Sequence, residues 1–538
     1  GCERERAAVH ATPAGPTSPV PAASEPAAAA MPPFELDEWT VERLQRSLAS
    51  GERSAHEVTA LYLQRVEAVD GGGPTLRAVI EVNPDALAIA DALDDERRAG
   101  RVRGPLHGVP VLVKDNIDTR DRMATTAGSP ALLGAQPPRD AFVVQRLRAA
   151  GAVLLGKTNL SEWANFRGER ASSGWSTRGG QCLNPYALDR SPSGSSSGSA
   201  VALAANLTLL AVGTETCGSI LGPASVNAVV GLKPTVGLVS RSGIVPISQT
   251  LDTAGPMART VADAALLLGV LAGPDAADPA TAAAAGHAVA DYTQGLEPDG
   301  LRGARIGVAR GIDRFAPDVM AVFEAALAVL RDAGAELVDP VELPRVTGAD
   351  WAALDLVLEF EFRDGIAHYL DALGPGTPAQ TLDALIAWNR EHADTVLAFF
   401  GQEIFERAAA RGPLTDPDYL ATRAALQRRF GEQGLGAALA RDALDAIVAP
   451  TGGPAWLIDH RLGDRWDGGT SVGQAAIAGW PSLSLPMGQV GGLPVGLSFF
   501  GRAWSEPLLL RLAHAYELAR GARPLPGFAA STARVGAR

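Results

Sequence analysis

The sequence predicts an α/β protein in which helices cover both faces of a β-sheet. From Leu76 onward, short apolar segments typical of strands alternate with segments whose apolar residues recur at helical spacing. Strands that alternate with helices favour a sheet with helices on both sides. The chain has 538 residues, of which 46% are hydrophobic. Because no linker interrupts 33–525, we expect one large domain there rather than three smaller ones.

A helical region at 37–70 precedes the alternating part and is predicted to cover the core. Its apolar residues, among them Val58, Leu61 and Val66, recur at helical spacing up to the glycines at 71–73. The elements predicted next are a strand at 76–82, a helix at 85–98, a strand at 108–115, a helix at 141–150, a strand at 152–156, a strand at 305–310 and a helix at 318–333. A mostly helical region follows at about 351–445. The predicted closing elements are strands at 446–450, 481–488 and 493–501 and a helix at 506–519.

The two ends of the chain have a different composition. Residues 11–30 are largely Ala, Pro and Ser, so we predict a disordered tether over 1–32 and a frayed tail over 526–538. Gly1 and Cys2 resemble the start of a bacterial lipoprotein, with a possible lipid anchor at Cys2, and a truncation or cloning scar explains them equally well. The lipoprotein interpretation predicts an extracytoplasmic protein, periplasmic or associated with the outer membrane. No apolar stretch is long enough to predict a transmembrane segment.

Charge and cysteine content exclude several classes of function. The formal net charge of -13 provides no basic face, which argues against binding to nucleic acid. The three cysteines, Cys2, Cys182 and Cys217, are too few and too scattered for a zinc site or a disulfide framework. One disulfide stays open as an alternative. We expect no metal and no cofactor.

Two short motifs suggest competing hypotheses. Residues 151–158 fit the phosphate-loop pattern GxxxxGK[ST], but their Ala-Val-Leu-Leu segment is typical of a buried strand and not of a loop with inward N–H groups. Residues 194–198 fit GxSxG, which would make Ser196 the nucleophile of a hydrolase that also needs a downstream acid and histidine. The sequence identifies no partner for the histidines that follow, which are His287, His368, His392, His460 and His514.

The strongest signal is a pair of serine-bearing loops at 193–199 and 213–220. The first, SGSSSGS, has the composition of a linker, but the segments on both sides place it inside a packed enzyme. Neither loop has a histidine nearby. The pair therefore indicates amide hydrolysis without the usual Ser-His arrangement.

These loops and several further motifs are similar to those of the amidase signature family over about 35–520. The motifs are GVPVLVKDNI (108–117), GKTNLSEWANF (156–166), NPYALDRSPSGSSSGSA (184–200), GTETCGSI (213–220), VVGLKPTVGLVSRSGIVPIS (229–248), LDTAGPMARTVAD (251–263) and GLPVGLSFFG (492–501). The resemblance implies a large central mixed β-sheet covered by helices on both faces. It also implies a serine amidohydrolase that works through an acyl-enzyme.

The resemblance further implies a Ser-cisSer-Lys triad. Ser219 is then the nucleophile, Ser195 the bridging serine after a cis peptide bond, and Lys114 the base. The implied oxyanion hole consists of the backbone N–H groups of Thr216, Cys217, Gly218 and Ser219. The chain departs from the commonest family pattern at four positions. Ser193, Ser197 and Cys217 stand where the family often has glycine, and Leu221 stands where arginine is frequent. Backbone donors tolerate such changes, so the departures are compatible with activity. The Cys217 thiol is a rival nucleophile without an evident base.

A lysine acts as a base only when it is neutral, and burial lowers its pKa towards neutrality. Lys114 follows the apolar residues 109–113 and is expected at the end of a buried strand. Lys157 also follows an apolar segment, and Lys233 precedes a proline. The residues alone favour Lys114 without excluding Lys157, and the resemblance selects Lys114.

Within the family, the sequence resembles bacterial peptide amidases most closely, at 156–168, 172–181, 213–216 and 499–507. This implies release of ammonia from the C-terminal carboxamide of a small peptide by a monomer, while internal peptide bonds are left intact. Ser172, Ser173 and Trp175 are the implied substrate-binding residues, and Trp163 and Phe166 are further candidates to shape the pocket.

Alternatives from other classes remain. They are an amidase of small aryl or lipid amides, a glutaminase-like subunit of a tRNA-dependent amidotransferase, and a binding protein without activity. The amidotransferase needs cytoplasmic partners, which conflicts with the lipoprotein interpretation of Cys2, and no basic amphipathic helix suggests a lipid substrate. Presence of all three triad residues argues against a binding protein.

Overall fold

An eleven-stranded β-sheet forms the centre of the protein in the computed structural model, which describes residues 33–465 and 468–532. The tether predicted at 1–32, the possible anchor at Cys2 and the end of the tail at 533–538 lie outside the described residues. The strands are β1 (Val79–Val82), β2 (Pro110–Lys114), β3 (Val153–Thr158), β4 (Trp175–Ser176), β5 (Gly180–Gln181), β6 (Leu210–Glu215), β7 (Val230–Lys233), β8 (Thr253–Ala258), β9 (Arg305–Val308), β10 (Glu336–Val338), β11 (Ala446–Pro450), β12 (Ser482–Val490) and β13 (Leu493–Phe500).

The strand order in the large sheet is β1-β3-β2-β6-β8-β7-β12-β13-β11-β9-β10, and β4 pairs with β5 in a separate ribbon. Strands β3, β2 and β6 are parallel to one another, as are β11, β9 and β10, whereas the other neighbours in the large sheet are antiparallel. Helices pack against this sheet along its length. The predicted α/β class and the mixed sheet implied by the resemblance are therefore confirmed.

Helices make up most of the remaining regular structure. They are α1 (Val41–Ser50), α2 (Ala55–Arg65), α3 (Ala86–Arg98), α4 (Phe142–Ala149), α5 (Ser197–Ala204), α6 (Leu221–Val226), α7 (Val261–Leu271), α8 (Pro317–Asp332), α9 (Gly348–Leu373), α10 (Leu382–Glu391), α11 (Ala393–Val396), α12 (Glu403–Ala409), α13 (Pro417–Phe430), α14 (Ala437–Arg441), α15 (Val472–Ala478) and α16 (Glu506–Arg520). The predicted helical region at 37–70 is two helices, because Gly51 adopts a left-handed conformation with φ of 76° and Ser54 caps α2.

The centre of the sheet is the part that the sequence analysis missed. Strands β6, β7 and β8 are wholly buried, so they lack the alternation of polar and apolar residues that marks a half-exposed strand. The residues that resemble a phosphate loop form strand β3, whose six residues are all buried. A nucleotide site at 151–158 is therefore excluded, as the apolar Ala-Val-Leu-Leu segment indicated.

Four helices form an apolar layer, called the helical layer below, against loops of the sheet. Apolar side chains of α9, α10, α12 and α13 form one cluster with residues from the loops that follow β2 and β3 and precede β8. Tyr369 of α9 also donates a hydrogen bond to Asp118, four residues after the end of β2, at 2.7 Å. The layer thus contacts three loops that surround the residues described next.

Candidate active site

Parallel pairing of β2 with β6 brings Lys114 and Thr214 to the same edge of the sheet. Val113 of β2 is in register with Val212 of β6, and the next residues of both strands end at the carboxyl edge. Ligands of open α/β sheets bind at this edge because loops diverge there. Lys114 is fully buried at the end of its strand.

The Lys114 ammonium lies among hydroxyl groups and not beside a carboxylate. Its Nζ is 2.7 Å from Ser195 Oγ, 2.9 Å from Thr214 Oγ1 and 3.1 Å from Ser196 Oγ. Burial lowers the pKa of Lys114 to about 7, while the more distant charges of Glu215 and Asp252 oppose the shift. A substantial fraction of the lysine is therefore neutral at neutral pH, as a base requires.

Ser195 follows the expected cis peptide bond, which joins it to Gly194. Its side chain is buried and lines a cavity of about 200 Å³, together with Ser219. Gly194 packs so closely that a Cβ there would collide with the hydroxyl of Ser161. A larger residue at position 194 would therefore require the Ser161 side chain to move.

Ser219 is the half-buried serine at which two cavities meet. It lines the cavity of about 200 Å³ and also a second one of about 290 Å³. The wall of the second cavity is largely apolar and includes Phe166, Ile247 and Leu358. A substrate that spans both cavities would place its reacting bond at Ser219.

The carboxylate of Glu215 holds the turn that carries Ser219. It accepts hydrogen bonds from the backbone N–H groups of Gly218 at 2.8 Å, Ile220 at 2.7 Å and Leu221 at 2.9 Å. Gly218 has a φ of 91°, which favours glycine. Burial raises the pKa of Glu215, whereas these N–H groups and Lys233 act in the opposite direction.

Three of the four expected oxyanion donors are open. Within 33–465 and 468–532, the N–H groups of Thr216, Cys217 and Ser219 have no hydrogen-bond partner, and all three residues line the larger cavity. The N–H of Gly218 departs from the expectation because it already donates to Glu215. The geometry thus offers donors from Thr216, Cys217 and Ser219.

Ser196 is held by hydrogen bonds in the interior and lines neither cavity. It is buried, its hydroxyl donates to the Thr214 carbonyl at 3.0 Å, and the same oxygen accepts from the Thr214 N–H at 3.2 Å. In the part of the chain that the structure describes, no histidine lines either cavity. The GxSxG hypothesis therefore lacks both an accessible nucleophile and the histidine that it requires.

The rival lysines lie elsewhere. The Nζ of Lys157 donates to the Ile117 carbonyl and to Thr125 Oγ1, and that of Lys233 donates to the Pro234 carbonyl. Both are buried, and neither contacts Ser195 or Ser219.

The predicted substrate-binding residues divide into two groups. Ser173 lines the larger cavity and donates to Asp464, whose carboxylate also accepts from its backbone N–H at 3.0 Å. Ser172 donates to Gln181, and Trp175 packs edge-on against Phe399 and Phe400. Neither Ser172 nor Trp175 lines the two cavities at Ser219.

The aromatic candidates divide in the same way. Phe166 lines the larger cavity, whereas Trp163 packs against Phe405 in the helical layer.

Cys182 and Cys217 are free thiols, and burial raises the pKa of both.

Several polar residues of the site carried no assigned role in the sequence analysis. Thr214 contacts Lys114, the side-chain amide of Asn116 donates to Thr214 Oγ1 at 2.9 Å, and Asp252 accepts from Thr216 Oγ1 at 2.6 Å. Glu215 ends β6, a wholly buried strand without alternation, so no sequence signal pointed to its role. No sequence signal pointed to Asp464 either, because it lies 291 residues from Ser173, its hydrogen-bond partner.

Among 33–465 and 468–532, no group of three or more His, Cys, Asp and Glu side chains is arranged to hold a metal ion. None of the helices in these ranges is both long and apolar enough to cross a membrane.

Comparison with known families identifies the scaffold. The model of the Amidase family matches residues 57–510, which is most of the chain. The chain belongs to the amidase signature family. This amidase is 53% identical to the native peptide amidase of Stenotrophomonas maltophilia, whose X-ray structure superposes with a TM-score of 0.86 over 92% of this chain and 99% of that one. Membership makes the protein a hydrolase that acts on amide C–N bonds.

Curated relatives of this amidase are of more than one kind. It is 40% identical to a probable amidase of Arabidopsis thaliana, over 92% of this chain and 93% of the relative. It is 38% identical to a glutamyl-tRNA(Gln) amidotransferase subunit of Halorhodospira halophila, over 90% of this chain and 97% of the relative.

Proposed function

We propose that this amidase releases ammonia from the C-terminal carboxamide of peptides, with Ser219 as nucleophile and Ser195 and Lys114 as its base system. One observation carries the proposal. Lys114 Nζ lies 2.7 Å from Ser195 Oγ, in the wall of a cavity that Ser219 also lines. The likeness to a peptide amidase at 53% identity supports the substrate class.

The reaction begins with proton transfer from Ser219. Neutral Lys114 accepts the proton of Ser195 while Ser195 takes that of Ser219, and Ser219 Oγ attacks the carbonyl carbon of the amide. The charge that develops on the carbonyl oxygen faces the open N–H groups of Thr216, Cys217 and Ser219. The C–N bond then breaks, ammonia leaves with a proton from Ser195, and water hydrolyses the acyl ester on Ser219.

The two cavities give the substrate a direction. Ser195 lines only the smaller cavity, so the leaving nitrogen receives its proton on that side and the peptide occupies the larger, more apolar one. Carboxylates of Asp252, Glu361 and Asp364 border the smaller cavity and favour an ammonium product. An internal peptide bond would require a whole chain segment on the side of Ser195, so the proposal requires the smaller cavity to reject a substituted nitrogen.

The amidotransferase and small-amide alternatives have less support. The amidotransferase relative is 38% identical to the chain, against 53% for the peptide amidase. The apolar wall that Phe166, Ile247 and Leu358 form suits the side chain of a peptide better than the charged ends of free glutamine.

Ammonia release from an amidated acetyl-dipeptide tests the proposal. Ser219→Ala should abolish release, whereas Ser196→Ala should reduce it and leave it measurable, because Ser196 contacts Lys114 but lines neither cavity. Thermal melting of both variants checks that they fold. Release from glutamine or aryl amides alone would contradict the peptide substrate, and release by Ser219→Ala would contradict the nucleophile.

A further inference from the structure

A carboxylate without a positive partner lies in the wall of the larger cavity. Asp464 lines this cavity and is half-buried. In the part of the chain that the structure describes, no Lys, Arg or His side chain forms an ion pair with it, and its partners are Ser173 and Trp456. Burial raises the pKa of Asp464, while the hydrogen bonds that it accepts act in the opposite direction. A ligand that brings a positive charge would stabilise the ionised form.

The hydrogen bonds of Asp464 leave part of its carboxylate unused. Oδ1 accepts from the backbone N–H of Ser173 at 3.0 Å and from the indole N–H of Trp456 at 3.0 Å. Oδ2 accepts only from the hydroxyl of Ser173, at 2.5 Å. Because a carboxylate offers about four acceptor positions, Oδ2 retains one. Ser173 and Trp456 line the same cavity, so the carboxylate and both of its partners belong to one stretch of wall.

Asn165 adds a second unused acceptor to this stretch. It lines the larger cavity, and its Nδ2 donates to Ser173 Oγ at 3.0 Å. Within 33–465 and 468–532, its Oδ1 has no hydrogen-bond partner. We call Asn165, Ser173, Trp456 and Asp464 the polar wall. An ammonium group carries three donors, no acceptor and a positive charge, which matches what the polar wall leaves unused.

The polar wall adjoins the loop that carries the bridging serine. A Cβ at Gly194 would lie 3.0 Å from Ser173 Oγ and 3.1 Å from Asn165 Nδ2. Gly194 itself lines the larger cavity and is joined to Ser195 by the cis peptide bond. An extended peptide advances about 3.3 Å per residue, so groups of the last two residues of a substrate lie within about 7 Å of the reacting carbonyl.

We propose that Asp464 pairs with a positively charged group on the acyl part of the peptide amide, so that cationic substrates are preferred. This step rests on the proposed function, in which the acyl part occupies the larger cavity. Two groups can supply the charge, namely the α-ammonium of a dipeptide amide and the side-chain ammonium of an amidated lysine. The same negative charge disfavours a substrate carboxylate, such as that of free glutamine.

Two matched pairs of substrates at pH 7 separate the two sources of charge. Ala-Ala-amide and acetyl-Ala-Ala-amide differ in the α-ammonium, whose ordinary pKa of about 8 keeps most of it protonated. Acetyl-Ala-Lys-amide and acetyl-Ala-norleucine-amide differ in the side-chain ammonium, because norleucine has the carbon chain of lysine without its charge. Ammonia release gives kcat and KM for each of the four.

The test variant is Asp464→Asn, which removes the charge and keeps an acceptor oxygen. Asp459→Asn is the matched control. Asp459 lies on the same segment and accepts from the backbone N–H groups of Arg461 and Leu462, but it lines neither cavity. Thermal melting of both variants checks that they fold.

We expect the wild type to prefer the charged member of at least one pair by about tenfold in kcat/KM, between the contributions of exposed and buried charge pairs. The pair that shows the preference identifies the group that Asp464 binds. Asp464→Asn should lower kcat/KM for that charged substrate about tenfold more than for its neutral partner, chiefly through KM. Asp459→Asn should keep the preference of the wild type.

Three results would overturn the inference, and they differ in what they leave standing. Equal kcat/KM within both pairs for the wild type, with ammonia released from all four substrates, would overturn the role of Asp464 and leave the proposed function intact. Equal losses for charged and neutral substrates in Asp464→Asn would show that Asp464 only holds the wall together. No ammonia from any of the four substrates would overturn the proposed function as well.

Discussion

Lys114 is a base only in its neutral form, and its burial sets the pH at which that form is populated. Burial lowers its pKa to about 7. Because the protonated lysine cannot accept a proton, kcat/KM should fall about tenfold per pH unit below pH 7 and level off above it. The measurement is kcat/KM for an amidated peptide from pH 5 to 9, with circular dichroism at each pH.

Replacement of the lysine provides the control for this profile. Lys114→Ala should be inactive across the whole range, because Ser195 then has no base within reach. A wild-type profile that stays level down to pH 5 would contradict Lys114 as the base.

At the level of structural elements, the turn between β6 and α6 depends on Glu215. Its carboxylate accepts three backbone N–H groups, and the amide of Glu215→Gln offers one oxygen and a donor in their place. At least one buried N–H then loses its partner, which costs about 1–3 kcal/mol and moves Ser219. We expect kcat to fall by about tenfold or more with a smaller change in KM. Steady-state kinetics and urea unfolding measure the two effects.

Glu506 provides a matched comparison for that variant. It is equally buried and accepts the N–H of Thr235 at 2.6 Å, but it does not contact the turn of Ser219. Glu506→Gln removes the same charge but keeps an oxygen for its N–H partner, so it should leave kcat near the wild-type value. Equal losses of kcat in both variants would mean that Glu215 acts through general stability and not through the position of Ser219.

Some strands and site residues could be predicted from the sequence, and others could not. Strands such as β2 and β3 were predictable because they are apolar runs bounded by glycine or polar residues. Strands β6, β7 and β8 were not, since burial on both faces removes their alternation. The roles of Lys114, Ser195 and Ser219 were predicted from the resemblance to the motifs of the family. The bonds of Glu215 depend on the conformation of Gly218, and the pairing of Ser173 with Asp464 depends on a contact across the whole fold.

At the scale of the whole molecule, the helical layer is joined to the edge of the sheet that carries Lys114 through a buried carboxyl group. Asp118, in the loop after Lys114, accepts a hydrogen bond from Tyr369 of α9. Burial raises the pKa of Asp118 to about 7, and the bond from Tyr369 opposes that shift. Burial likewise raises the pKa of Asp70 and Asp263 to about 6 and that of Glu517 to about 7. The folded protein therefore holds protons that the unfolded chain releases.

Through this linkage, each of these four carboxyl groups contributes less to the free energy of unfolding as the pH rises from 5 to 8. Between the ordinary pKa of an aspartate, about 4, and the raised value of about 7, the folded state binds the proton of Asp118 and the unfolded state does not, so the free energy of unfolding falls with pH. Asp118→Asn cannot ionise and still accepts the hydrogen bond from Tyr369. The decrease in its free energy of unfolding between pH 5 and pH 8 should therefore be smaller than that of the wild type by about 2 kcal/mol. The exposed Asp332→Asn should behave like the wild type. Urea unfolding at pH 5 and pH 8 measures all three proteins, and an equal loss in Asp118→Asn and wild type would show that Asp118 is already ionised in the folded state at pH 5.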